Sequence, residues 1–146
     1  MTYVWNGNRS GFIDESLETY IEIPSDNAEF GTTPAMTVPE ITEETFDLMR
    51  SGAYRFGRLN FPSGDIVGHI GHLHATVAAM EVIDSCMADL LKVIDDLGGV
   101  LTYTADHGNA DIMFTETNGV PSPRRPRTLS PVPFAIYDPN HGGDYH

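Results

Sequence analysis

Two short clusters carry the residue types from which a metal centre is built. The first is Gly64-Asp65-Ile66-Val67-Gly68-His69, and the second is Thr104-Ala105-Asp106-His107-Gly108-Asn109. A carboxylate and an imidazole four residues apart reach one divalent cation when the segment between them turns helically; an adjacent Asp-His pair does so through a sharp turn at a strand end. Each pair alone also fits a structural role, because an Asp after a strand often caps the next helix and a His beside glycine often serves as a loop donor. Two such pairs at strand ends in one chain point instead to a metal centre, with Asp65, His69, Asp106 and His107 as candidate ligands.

The elements that must position these residues alternate along the chain. Tyr3-Val4-Trp5 and Ile21 to Pro24 read as short extended pieces, and about Ser25 to Pro39 reads as a loop. Thr42 has the character of an N-cap, with Glu43 and Glu44 behind it and Gly52 as a stop, which predicts a short helix over about 43 to 51. Tyr54 to Phe61 alternates and predicts a strand feeding a loop that carries Asp65 and His69. From His72 to Leu97 the residues Leu73, Val77, Met80, Met87, Leu91 and Ile94 recur at three- and four-residue steps, so the longest helix is expected there, ending at Gly98-Gly99. Val100 to Thr104 and Pro131 to Tyr137 read as strands, separated by a Pro/Arg-rich loop. The expected architecture is α/β, a mostly parallel sheet flanked by helices, in which ligands bind beyond the carboxyl ends of strands.

Composition narrows the function. Eight Lys plus Arg against 21 Asp plus Glu leave a net charge of −13, and Lys92 is the only lysine, so there is no basic stripe for nucleic acid or an anionic membrane. Cys86 stands alone in an apolar helical stretch, which excludes an internal disulfide or a Cys-rich zinc site and predicts a buried thiol. With no long apolar run and no signal-like N-terminus, a cytoplasmic protein is expected.

The wording of four segments carries a resemblance. TYVWNGNRSG, NFPSGDIVGHIG, TADHGNAD and TLSPVPFAIYD, in this order and spacing, resemble the C-terminal part of cofactor-independent phosphoglycerate mutases of the plant and trypanosomatid form. The resemblance covers essentially the whole chain. It implies that residues 1–146 are the C-terminal segment of an alkaline-phosphatase-like domain, an incomplete domain whose serine-bearing N-terminal part and partner transferase domain lie outside these residues. It further implies two manganese ions, or cobalt, zinc or magnesium in their place, and no 2,3-bisphosphoglycerate. The reaction implied is interconversion of 3-phosphoglycerate and 2-phosphoglycerate through a phosphoserine, in glycolysis and gluconeogenesis. Asp65 and His69 match two ligands of one metal, and Asp106 and His107 match two ligands of the other.

The chain departs from that pattern in ways that bear on its chemistry. Where the family has a Ser-His-Thr triplet whose histidine completes the first metal site, this chain has Pro126-Arg127-Thr128. Arg127 has only donors and a permanent charge and cannot ligate a metal. His72 and His74 stand where the family carries acidic residues, and are expected to face solvent on the first turn of the long helix. Arg124, Arg125 and Arg127 are expected to form a solvated surface. No residue here matches the family's serine nucleophile or its substrate-binding cations, so the chain alone is expected to be inactive and to self-associate through uncovered apolar surface. The competing reading is a non-catalytic acidic module with a degenerate metal site.

Overall fold

The computed structural model describes residues 6–7, 9–24, 33–124 and 126–143. The expected piece at Tyr3-Val4-Trp5, most of the connector after Ser25, and Arg125 lie outside the described residues. Three helices run in order, α1 (Val38–Arg50), α2 (Ser63–Ile70) and α3 (Leu73–Leu97), followed by the strands β1 (Leu101–Thr104), β2 (Phe114–Thr117), β3 (Val120–Pro123) and β4 (Phe134–Tyr137).

Helix α3 forms where the apolar spacing places it, but it packs by a neighbouring stripe: of the residues named by that spacing only Ile94 is buried, and Leu73, Val77 and Met80 are exposed. It buries Thr76, Ala79, Ile83, Cys86, Leu90, Val93 and Ile94 along one face and stops at Gly98. Helices α1 and α2 both pack on it; Val38 from α1 joins Ile83 and Cys86 in a buried cluster flanked by Phe61, Val82 and Met87. The thiol of Cys86 is buried in this core, as expected.

Helix α1 starts earlier than its sequence signals suggest. It opens at Val38 with Pro39 and Glu40 in its first turn, and Thr42 lies inside it, donating its hydroxyl to the Val38 carbonyl at 2.8 Å. Proline suits a first turn because its missing N–H would be unpaired there in any case. The expected loop around Asp65 and His69 is itself a helix, α2, which begins after Pro62 and closes at Gly71.

The mixed helix and strand content agrees with an incomplete α/β domain, whereas the parallel register does not appear among the described residues. Strand β1 pairs antiparallel with β4, from Leu101 opposite Tyr137 to Thr104 opposite Phe134. Strands β2 and β3 form a separate antiparallel hairpin. A parallel pair needs a strand on each side of a crossover helix, and the expected strand before α3, Tyr54 to Phe61, is irregular backbone.

Candidate metal centre

Asp65 and His69 lie in the first and last turns of α2. Residues four apart on a helix share a face, and His69 Nε2 stands 3.2 Å from Asp65 Oδ1. Two ligands at right angles on one ion with bonds of about 2.1 Å lie about 3 Å apart, so the pair has the donors and spacing that a hard divalent cation accepts. The left-handed backbone of Gly71, at φ 78°, ends α2 two residues after His69.

Asp106 and His107 follow the end of β1, where the chain bends sharply. His107 Nε2 is 3.6 Å from Asp106 Oδ1. The other ring nitrogen, Nδ1, lies 3.2 Å from the Gly108 carbonyl. With the proton on Nδ1 donated to that carbonyl, Nε2 keeps its lone pair on the Asp106 side, which is the tautomer a metal requires.

The two pairs meet at one carboxylate. His107 Nδ1 comes within 4.0 Å of Asp65 Oδ1, although 42 residues separate them in sequence. The link is Asn109, a buried side chain whose Nδ2 donates to Asp65 Oδ1 at 2.7 Å and to the Asp65 main-chain carbonyl at 3.4 Å. Gly68 makes room for it, since a Cβ at residue 68 would lie 2.5 Å from Asn109 Oδ1. Asn109 sits in the second cluster with no task that its type alone assigns; the available signal is an amide two residues after an Asp-His pair, across a glycine.

A clasp holds the far side. The Thr128 N–H donates to the Gly108 carbonyl at 2.8 Å, and the Thr128 hydroxyl donates to both oxygens of Asp111, at 2.9 and 3.0 Å. Hydrogen bonds from the hydroxyls of Ser130 and Thr128 outweigh partial desolvation and hold the Asp111 carboxyl below the usual carboxylate range. The contact of Gly108 with Thr128 is so close that any Cβ at residue 108 would run into the threonine hydroxyl.

The arginine loop is not merely a solvated surface. Arg127 Nη2 lies 3.9 Å from Asp65 Oδ2. His72 and His74 do face solvent; His72 caps α3, its Nδ1 accepting from the Ala75 N–H at 3.3 Å. Among the described residues no three His, Cys, Asp or Glu side chains converge into a group that could hold a metal ion. The donor chemistry therefore fits a divalent cation pair by pair, with neither pair a complete site.

The chain belongs to the metalloenzyme superfamily, whose family model matches residues 1–144. It is similar to the 2,3-bisphosphoglycerate-independent phosphoglycerate mutase of Trypanosoma brucei brucei, 42% identical over 145 residues, which cover 93% of this chain and 26% of the relative. A probable mutase of the same kind from Arabidopsis thaliana is also 42% identical, covering 95% of this chain and 27% of that protein. Among solved structures, that of Leishmania mexicana phosphoglycerate mutase at low cobalt concentration matches with a TM-score of 0.88 and 44% identity, over 94% of this chain and 28% of that one. The chain thus spans about a quarter of the length of the relatives it matches.

Proposed function

We propose that this chain is the metal-binding segment of a cofactor-independent phosphoglycerate mutase, in which Asp65 with His69 and Asp106 with His107 each supply two ligands to a manganese-type ion. The observation that carries this reading is the meeting of both pairs at Asp65 Oδ1, with His107 at 4.0 Å and His69 at 3.2 Å. Likeness to mutases at 42% identity supports the substrates 3-phosphoglycerate and 2-phosphoglycerate and a place in cytoplasmic glycolysis. No helix among the described residues is long and apolar enough to cross a membrane.

Each residue has a task in this reading. Asn109 fixes the Asp65 carboxylate, Gly68 leaves space for Asn109, and the Gly108 carbonyl sets the His107 tautomer. Bound divalent ions would polarise a phosphoryl oxygen and lower the pKa of a coordinated hydroxyl. Mutase turnover also needs a nucleophile to hold the phosphoryl group and a surface to keep glycerate while it reorients, and none of these 146 residues is matched to either task. Arg127 beside Asp65 favours a second reading, a module whose metal site is degenerate.

Two measurements test the proposal. In calorimetry the chain should bind Mn²⁺ weakly, two ligands per ion giving little chelation, and Asp106→Ala with His107→Ala should abolish most of that binding; unchanged binding would remove both residues from the centre. In a coupled enolase assay with Mn²⁺ the chain alone should not exceed the blank. Turnover that disappears in Asp65→Ala would show instead that these residues suffice.

A further inference from the structure

Asp65 is contacted on both oxygens. Its Oδ1 faces Asn109, His69 and His107, whereas its Oδ2 faces the guanidinium of Arg127. That approach is built into the backbone. The bridge between Gly108 and Thr128 is antiparallel, so residue 127 lies opposite residue 109, the asparagine that holds Asp65. Thr128 is buried and tied to both Gly108 and Asp111, which fixes the chain one residue beyond Arg127. The Arg127 carbonyl accepts from Arg124 Nη2 at 3.2 Å, bracing the loop on its other side.

A guanidinium in this place does what a metal cannot do at the same time. It neutralises the carboxylate, offers no lone pair, and cannot shed its charge. An ion entering between Asp65 and His69 would meet a fixed positive charge only a few ångströms away. We propose that Arg127 is the resident cation of the Asp65/His69 half of the centre, so that this half takes up a divalent ion only when the charge at residue 127 is removed. The inference rests on the metal-centre reading above and makes that centre unequal, with Asp106/His107 as the half open to metal.

The test is Mn²⁺ titration of the full 146-residue chain, followed by loss of the free-ion electron paramagnetic resonance signal, with circular dichroism to verify folding. Arg127→Ala and Arg127→His should bind Mn²⁺ about tenfold or more tightly than the native chain, the repulsion of one nearby unit charge being ample for that factor. Arg127→Lys, which keeps the charge, should stay within about twofold of native. Adding Asp65→Asn to Arg127→Ala should erase the gain. Native affinity in Arg127→Ala, equal gains in the Lys and Ala variants, or a gain that survives Asp65→Asn would each overturn the proposal. Failure of every variant, Arg127→His included, to bind Mn²⁺ would overturn the metal-centre reading itself.

Discussion

At the scale of single residues, the centre depends on a space left by Gly68. The Asn109 amide uses its nitrogen on Asp65 twice, while its buried Oδ1 has no hydrogen-bond partner among the described residues and lies against Gly68. A methyl at residue 68 raises helix propensity by up to about 1 kcal/mol. It also arrives 2.5 Å from Asn109 Oδ1, inside contact distance, and overpacking of that kind costs about 1–3 kcal/mol. The steric effect should win because Asn109 cannot withdraw without releasing Asp65. Gly68→Ala is therefore expected to lower stability to urea by about 1–2 kcal/mol. In an Asn109→Ala background the same change should become neutral or stabilising, by up to about 1 kcal/mol. A loss of equal size in both backgrounds would show that the strain lies elsewhere in α2.

At the scale of elements, the turn after β1 and the segment before β4 are joined through the Asp111 clasp rather than through a ladder. Folding depresses the Asp111 carboxyl below its ordinary value of 3.8, chiefly through Ser130 and then Thr128. The clasp thus contributes fully above about pH 5, where the carboxylate is charged in both folded and unfolded chains, and its contribution fades as pH falls through 3.8 and below. Asp111→Asn should destabilise the chain at neutral pH, and the gap between variant and native urea midpoints should shrink on acidification to pH 3. A gap independent of pH would mean the carboxylate charge contributes nothing. These connections were also the least legible part of the sequence. Helix α3 could be read directly because its apolar positions repeat over seven turns and end at glycine, but the β2–β3 hairpin was hidden by its own prolines. Pro121 and Pro123 discourage a strand, yet among the described residues β3 pairs on one side only and tolerates them, and the turn at Asn118 and Gly119, with φ of 53° and 78°, is the left-handed pair that closes a two-residue hairpin. Tyr54 to Phe61 shows the reverse, an alternating pattern that joins neither sheet among the described residues. The four candidate ligands were legible by type and spacing, whereas Asn109, Gly68 and the Arg127 contact depend on a long-range approach that spacing does not encode.

At the scale of the whole molecule, apolar side chains stand exposed on regular elements: Phe134 and Ile136 on β4, Val120 on β3, and Leu73, Val77 and Met80 on α3. The last three residues line an open groove of about 340 Å³ with Ala110 and Met113, and it shares no residue with the charged cluster. The sheet of β1 and β4 has only two strands, so each presents an unpaired edge among the described residues, and a two-stranded sheet is marginal without further cover. Apolar faces and open strand edges are the features through which chains associate. A net charge of −13 opposes that association at long range, but salt screens it over about 10 Å at 0.1 M. Light scattering should accordingly give a mass above 16.0 kDa that grows with concentration and with added salt. Phe134→Lys on the exposed face of β4 should weaken the growth without lowering helix content. A mass fixed at that of one chain at high concentration and high salt would show that these surfaces do not associate.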